Sequence, residues 1–338
     1  MASSISKAIK RAVTGKDLSY ELAEAVMDEI MSGEATQIQM ASYLTAMSLK
    51  GESIDEISGS AAGMRKHCVR LLNDMPVLEI VGTGGDHSNS FNISTTSALV
   101  VSAAGIRVAK HGNRAATSRS GAADVLDALG VNINATPEKS LEVLGAIGLC
   151  FLFAQNYHIA MKYVAPVRSE LGIRTMFNIL GPLVNPAGAS MELLGVYDKD
   201  LVEPLAKVLH NLFVKDVMVV HGRDGLDEVS MSAPTSVCEL RDDEFRLFTL
   251  DPRAYGFELC RKEELVGGTP AQNADIVRRI LSGEQGPKTD AVLLNSAVAM
   301  CVARRDLRLT DALDLARETI ASGAAAEQLE RFVALTNG

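Results

Sequence analysis

Tryptophan is absent from this chain of 338 residues, and aromatic residues make up only 4% of it. So few rings leave little surface on which the bases of single-stranded nucleic acid could stack. Basic residues are also scarce, 33 against 42 acidic residues, which gives a formal net charge of -9. An acidic chain is poorly suited to nucleic acid or to an anionic membrane surface. We therefore expect neither nucleic acid nor a membrane as a partner.

Close cysteine pairs and long apolar runs are lacking as well. The apolar run 98–104 is far shorter than the roughly 20 residues that a membrane-spanning helix needs. No apolar signal-peptide stretch precedes Tyr20, so we expect a cytoplasmic protein. The cysteines are far apart, show no zinc-ligand spacing and are expected to be reduced: Cys68, Cys150, Cys238, Cys260 and Cys301.

The apolar content is high enough for a large buried core. Hydrophobic residues make up 47% of the chain, which at this length predicts two domains. Over residues 1–72, apolar positions recur at helical spacing, and Thr36 with Gln39 and Ser53 with Glu56 have the spacing of capping boxes. This part is predicted to be a small N-terminal helical domain.

From residue 73 onward, short apolar runs alternate with helical stretches. This alternation predicts a larger α/β domain with a mostly parallel sheet flanked by helices. Residues 235–240 and 245–250, on either side of a charged turn, are typical of a hairpin, so the sheet is predicted to be mixed. The candidate parallel strands are 77–81, 106–109, 149–153, 193–196 and 217–220.

A glycine-rich segment, residues 82–86, follows the first predicted strand and precedes a helical stretch that begins near Ser94. Glycine lets backbone N–H groups approach a ligand closely, and a helix start offers unpaired N–H donors. Together with residues 92–95, the segment therefore indicates a phosphate-binding loop. A tight turn followed by a helix cap is the alternative that this motif alone leaves open.

A second polar loop, residues 110–114, follows the next predicted strand and carries two cations, Lys110 and Arg114. Ligands of open α/β sheets bind at the carboxyl ends of strands, so this loop and 82–86 are expected to face one crevice. A diphosphate would be a suitable occupant. Taken alone, the second loop could also be a solvated charge cluster.

Acidic residues follow a later strand, where Asp227 and Glu228 stand side by side after 217–220. Magnesium commonly uses one or two carboxylates together with substrate phosphates, so the pair is a candidate Mg²⁺ site, although a solvated surface pair is the alternative. The planar guanidinium of Arg168 could hold a carboxylate in bidentate fashion. A structural salt bridge with Glu170 or another acidic residue explains that arginine equally well.

In their order and spacing, these motifs resemble those of the anthranilate phosphoribosyltransferase family of tryptophan biosynthesis. The resemblance extends along nearly the whole chain. The segments that carry it are 31–35, 82–86, 92–95, 110–114, Arg168, 174–186, Asp227–Glu228 and 267–295.

The resemblance implies a particular architecture and assembly. A helical domain over 1–72, joined by a helical segment around 165–185, would meet an α/β domain over 73–338 that binds phosphoribosyl diphosphate (PRPP). The substrates would lie in the hinge cleft between the two. A homodimer formed largely through the helical domains is also implied.

The resemblance further assigns ligands to residues. Anthranilate would contact Gly82, Asn113 and Arg168, and Mg²⁺ would be bound by Ser94, Asp227 and Glu228. The residues expected to act most directly in catalysis are Lys110, Asn113 and Arg168. The residues implied to hold PRPP are Gly82, Gly85, Asp86, Ser90, Asn92, Ile93, Ser94, Thr95, Lys110, His111, Gly112, Asn113, Arg114, Ala115, Ala116, Thr117 and Ser118.

The sequence departs from the family pattern at several positions. Ser90 replaces a common threonine and keeps its hydroxyl. Ala122 replaces a common serine that contacts phosphate, and alanine has no hydroxyl to make that contact. Losing one neutral hydrogen bond costs roughly 0.5 to 1.5 kcal/mol, so weaker PRPP binding without loss of activity is expected. Gln155 and Ile159 replace frequent prolines, and Gln272 replaces a frequent glutamate.

The activity implied is transfer of the phosphoribosyl group of PRPP to the amine of anthranilate. Catalysis would rest on positioning and on neutralising the leaving diphosphate rather than on a strong base.

Two other functions are alternatives to this transferase activity. A pyrimidine-nucleoside phosphorylase shares the fold but has a Lys-His-Ser-Thr-Gly-Gly arrangement that is absent here. A non-catalytic relative that binds nucleic acid conflicts with the net charge.

Overall fold

The computed structural model describes residues 3–115 and 118–338. The chain opens with helices α1 Ser4–Ala12, α2 Tyr20–Met31, α3 Gln37–Lys50 and α4 Ile54–Lys66. Both predicted capping boxes are confirmed: Thr36 with Gln39 begins α3, and Ser53 with Glu56 begins α4. Gly51, the residue after α3, has a positive φ of 81°.

Helices α2 and α4 approach each other unusually closely because α4 has two glycines on the contact face. A Cβ atom on Gly63 would lie 2.8 Å from the carbonyl oxygen of Glu24, and one on Gly59 would overlap that of Tyr20. Side chains such as Met27 and Ile30 are fully buried beneath this contact. Small residues therefore set the geometry of the helical bundle.

The sheet has seven strands in the described chain, in the order β3-β2-β1-β4-β5-β6-β7. Strands β1 to β5 are parallel, and β6 and β7 are antiparallel, as predicted for a mostly parallel mixed sheet. The strands are β1 Leu78–Gly82, β2 Val108–Gly112, β3 Leu149–Phe153, β4 Met191–Gly195, β5 Asp216–Gly222, β6 Thr235–Arg241 and β7 Glu244–Leu250.

The second predicted strand was misplaced by the sequence pattern. It was expected at 106–109, whereas β2 begins at Val108 and continues through Gly112. Lys110 and His111 therefore lie within the strand rather than in the loop after it. Both are buried, since the strand is covered on both faces, and burial of these polar residues was not apparent from periodicity.

The remaining helices are α5 Ile93–Ala103, α6 Ala122–Leu129, α7 Pro137–Ile147, α8 Ala154–Tyr157, α9 Ala165–Leu171, α10 Phe177–Leu180, α11 Val202–Asn211, α12 Pro270–Leu281, α13 Pro287–Ala303, α14 Leu309–Ala321 and α15 Ala324–Asn337. Most of them cover the sheet, whereas α9 and α10 pack with the N-terminal helices. Over the described residues, none of the helices has both the length and the apolar character needed to cross a membrane.

Two apolar clusters lie on opposite faces of the sheet, because neighbouring residues of a strand point to opposite sides. Leu193 of β4 packs with α5, α13 and the C-terminal helices. Leu194 packs instead with the N-terminal helices, α11 and residues 164–184. The segment 164–184 thus joins the N-terminal bundle and brings it to the carboxyl ends of β1 and β2.

The predicted hairpin is confirmed, and its turn is shorter than expected. Asp242 and Asp243 occupy the turn with φ values of 53° and 61°, while β6 extends through Arg241 and β7 starts at Glu244. Two successive positive φ values are typical of the type I′ turn, which matches the twist of paired strands. The hairpin forms the edge of the sheet.

Candidate substrate-binding site

A cleft of about 760 Å³ lies between the carboxyl ends of the central strands and the helical segment 154–182. Its size suits a small-molecule ligand. Ala116 and Thr117 lie outside the described residues. Every other predicted site residue lines the cleft: Gly82, Gly85, Asp86, Ser90, Asn92, Ile93, Ser94, Thr95, Lys110, His111, Gly112, Asn113, Arg114, Ala115, Ser118, Arg168, Asp227 and Glu228.

The loop after β1 depends on its glycines for conformation and space. Gly84 and Gly85 have positive φ values of 69° and 75°. A Cβ atom on Gly82 would lie 2.5 Å from Oδ2 of Asp227, and the N–H of Gly84 donates to that same oxygen at 2.6 Å. The glycines therefore let this loop pack directly against the acidic segment.

The start of α5 contributes backbone N–H groups to the cleft. The N–H of Ser94 donates to Oε1 of Glu228 at 3.1 Å. Asn92 stands at the N-cap without capping the helix; its amide instead donates to the carbonyl of Ser120 at 3.1 Å. Ile93 is predicted to contact PRPP, but its side chain is buried in the core, so only its backbone can do so.

Lys110 enters the site from within the sheet. Its Nζ donates to the carbonyl of Ile80 at 2.6 Å and to Oγ of Ser94 at 3.3 Å. Burial lowers the pKa of Lys110, whereas the carboxylates of Glu79 and Glu228 act to raise it. A cation is thus held at the start of α5, where a phosphate would be attracted to it.

Arg114 is already engaged in ion pairs on the rim of the cleft. Its guanidinium bonds Asp124 at 2.8 Å and Asp127 at 3.1 Å, and the side chain is about half exposed. Asp124 also accepts the N–H groups of Ala115 and Gly121, so it organises the whole turn before α6. A phosphate contact by the guanidinium of Arg114 would have to compete with these acidic partners.

The buried acidic pair lies beside a third carboxylate, that of the partly buried Asp86. Burial raises the pKa of Asp227 well above its ordinary value, and Asp86 and Glu228 add to the shift. Burial also raises the pKa of Glu228 to about 7, against the opposing effect of Lys110. Such crowding disfavours the charged forms unless a cation is present.

The donor set fits a magnesium ion bound with a substrate. Among residues 3–115 and 118–338, no cluster of three or more His, Cys, Asp or Glu side chains has the arrangement of a metal site. Asp227 and Glu228 supply hard oxygens, and the hydroxyl of Ser94 hydrogen-bonds Glu228. Magnesium commonly completes its octahedron with water and substrate phosphates, so two carboxylates suffice.

Arg168 faces the cleft from α9 on the opposite wall. Its guanidinium lies over the ring of Phe177, 5.2 Å from the centroid. Burial lowers its pKa. Within the described part of the chain the side chain forms no ion pair, so the alternative of a salt bridge with Glu170 is not found. A half-buried guanidinium in such a position attracts a carboxylate ligand.

Three buried polar residues that support the site escaped the sequence analysis. Glu79 accepts the N–H of His111, Asn273 donates to Asn92 at 2.8 Å, and Asn295 bonds the backbone beside the acidic pair. Glu79 interrupts one apolar run, and Asn295 together with Ser296 interrupts another, which was the available signal. A polar residue in such a run is normally retained for a specific hydrogen bond.

The sequence of the chain is similar to those of known transferases. Residues 74–326 match the model for the glycosyl transferase family a/b domain, and residues 6–68 match that for its helical bundle domain. The chain is 60% identical to an anthranilate phosphoribosyltransferase of Methanobrevibacter smithii, over 98% of this chain and 99% of the relative.

Solved structures show the same similarity. Anthranilate phosphoribosyltransferase from Thermus thermophilus has a TM-score of 0.93 and 44% identity, over 98% of this chain and 99% of that one. The Saccharomyces cerevisiae enzyme in complex with PRPP and Mg has a TM-score of 0.92 and 29% identity, over 100% and 99%. This chain therefore belongs to the anthranilate phosphoribosyltransferase family.

Proposed function

We propose that the protein transfers the 5-phosphoribosyl group of PRPP to the amine of anthranilate in tryptophan biosynthesis, releasing diphosphate. The observation that carries this proposal is the pairing of two walls in one cleft. One wall holds Lys110, the start of α5 and the acidic pair, which suit a metal-bound diphosphate. The other wall holds the guanidinium of Arg168, which suits the carboxylate of the acceptor.

The residues present support a displacement without a strong base. The amine of anthranilate forms the new bond to the anomeric carbon as the bond from that carbon to diphosphate breaks, and the leaving group takes the electron pair. The nitrogen then loses its proton to solvent. Arg168 and Asn113 would orient the acceptor, while Lys110 and the N–H groups at the start of α5 would bind the departing diphosphate.

Asp227, Glu228 and Ser94 would hold Mg²⁺ beside that diphosphate. When bound, the ion supplies positive charge against the negative charge that develops on the leaving group. The PRPP contacts proposed earlier remain assigned to residues within the segments 82–95 and 110–118. Of these, Ile93 would act through its backbone.

The first test follows the loss of anthranilate fluorescence with purified protein, PRPP and Mg²⁺. We expect magnesium-dependent loss that EDTA abolishes and that Arg168→Ala weakens mainly through a higher KM for anthranilate. Arg246→Ala, on the exposed edge strand, is the matched control and should behave as the unchanged protein. If no fluorescence is lost under any condition, the acceptor assignment is wrong, and phosphorolysis of pyrimidine nucleosides becomes the next assay.

The metal assignment has its own test. Replacing Asp227 and Glu228 together with alanine should collapse turnover, because the cation would lose both of its protein carboxylates. Full activity of this double variant at saturating Mg²⁺ would contradict the assignment.

We also infer a cytoplasmic homodimer, with a helical domain of 1–72 completed by 165–185 and an α/β domain of 73–338. The packing of segment 164–184 with the N-terminal helices supports this division.

Ile38 and Leu49 of α3 support a dimer, since their side chains are 80% and 84% exposed. Light scattering coupled to gel filtration should give a dimer mass that Leu49→Arg reduces to that of a monomer. A monomer mass for the unchanged protein at all concentrations would refute the dimer.

A further inference from the structure

Asn295 is a fully buried amide in the middle of α13, a helix whose buried side chains are mostly apolar. Burying an amide is costly unless its polar atoms are bonded. Here all of them are. Oδ1 accepts the N–H of Val229 at 3.0 Å, and Nδ2 donates to the carbonyls of Val229 and Ala291 at 2.8 and 2.9 Å.

The side chain of Asn295 therefore bonds both the backbone N–H and the backbone carbonyl of one residue, Val229. Val229 is fully buried and lies outside the strands, so water is not at hand to bond its N–H and carbonyl groups. The orientation of the amide is fixed by chemistry, because only the nitrogen can donate to two carbonyls. Both backbone groups of Val229 are satisfied at once.

Val229 directly follows the acidic pair, and the other side of that pair is equally confined. A Cβ atom on Gly195, at the end of β4, would overlap the carbonyl oxygen of Asp227. The backbone of 227–229 is therefore held between β4 and α13. With the backbone held in this way, both carboxylates face the cleft. There Asp227 accepts a hydrogen bond from the loop after β1, and Glu228 accepts one from the start of α5.

We propose that Asn295 is a positioning residue for the magnesium site: it fixes the backbone at Val229 so that Asp227 and Glu228 present their carboxylates together to the metal. This inference rests on the proposed function, which supplies the metal. Asn295 itself does not line the cleft, so it acts only through the segment it holds.

Substitutions of Asn295 should weaken metal binding rather than the chemical step. Asn295→Leu removes both hydrogen bonds to Val229, and Asn295→Asp places an acceptor opposite two carbonyl oxygens. Residues that orient metal ligands typically change metal affinity by about 10- to 100-fold when mutated. We expect a change of at least about tenfold in the Mg²⁺ concentration for half activation, with kcat largely restored at saturating Mg²⁺.

A direct readout uses Mn²⁺ in place of Mg²⁺, with PRPP present and no acceptor, so that no transfer occurs. The electron paramagnetic resonance signal of free Mn²⁺ then reports binding. Gln328→Leu is the matched control, since it removes another buried amide, on α15, that bonds the carbonyl of Ile147 at 2.7 Å outside the cleft. We expect it to lower the Tm and leave the Kd for Mn²⁺ unchanged.

The outcomes separate the possibilities. A raised Kd for both Asn295 variants, beside an unchanged value for Gln328→Leu, supports the proposal. Equal Kd values with only a lowered Tm would show a purely structural role and overturn it. If Asn295→Leu fails to fold, Asn295→Asp and Asn295→Ser decide the question. Failure of the unchanged protein to bind Mn²⁺ with PRPP would instead refute the metal assignment in the proposed function.

Discussion

Glu79 and Glu192 should make the stability of this protein depend on pH in an unusual direction. They are paired across the neighbouring strands β1 and β4 and are 0% and 1% exposed. Burial raises the pKa of Glu79 to about 7, although Lys110 and hydrogen bonds from His111 and Asn185 favour its charged form. Burial raises the pKa of Glu192 well above its ordinary value, and the nearby carboxylate of Glu79 raises it further. The guanidinium of Arg65 acts in the opposite direction.

The sign follows from the higher pKa in the folded state. Below about pH 4.5, Glu79 is protonated whether the chain is folded or not, so its full contribution to stability is present. As the pH rises from about 4.5 to 7, the unfolded chain releases this proton while the folded chain keeps it, and stability falls. For a pKa difference of about 2.5, the loss is roughly 3 kcal/mol. Above about pH 7, Glu79 adds no further change.

Glu79→Gln tests this reasoning because glutamine has the same shape and its carbonyl oxygen can still accept from Asn185. Urea unfolding of both proteins at pH 5 and pH 8 gives the free energy of unfolding at each pH. Between these values, the unchanged protein should lose roughly 2 to 3 kcal/mol more than the variant. Glu318→Gln, at an exposed site on α14, should match the unchanged protein. Equal losses for Glu79→Gln and the unchanged protein would mean that Glu79 is ionised when folded.

Other substitutions probe the site and the scaffold. Ala122→Ser should improve PRPP affinity by up to roughly tenfold in calorimetry, because a new hydroxyl at the cleft can bond phosphate; an unchanged Kd would contradict that placement. Gly195→Ala should lower stability by about 1 to 3 kcal/mol and weaken Mg²⁺ activation, since its Cβ overlaps the backbone of Asp227; full activity with an unchanged Tm would argue against that contact. Thr36→Ala should cost about 1 kcal/mol in thermal unfolding through loss of the cap on Gln39, and it should leave both KM values unaltered.

Features governed by neighbouring residues were predictable from the sequence. The capping boxes at Thr36 and Ser53 involve contacts three residues apart, and the hairpin at 241–244 is signalled by its own turn. The order of the parallel strands was not predictable in this way. The residues of β1 do not predict that the strand pairs with β2 and β4, because strand pairing depends on how the whole sheet packs.

The same distinction applies to the site. Loops rich in glycine or charge identified the cleft, and the described members of those loops do line it. The pairing of Arg114 with Asp124 and Asp127 was missed because it depends on the path of the chain between them. Support from Asn295 was missed for the same reason, since it spans 66 residues to reach Val229.

The central position of β1 has a consequence for the way the chain reaches its native state. Leu78 pairs with Met191, more than a hundred residues later, so this pairing must close a very long loop. Non-local pairings of this kind are slow to form. The walls of the cleft come together only once β1 and β4 are side by side. During refolding, the capacity to bind PRPP should therefore return later than helical circular dichroism, and the delay between the two signals would time the assembly of the sheet.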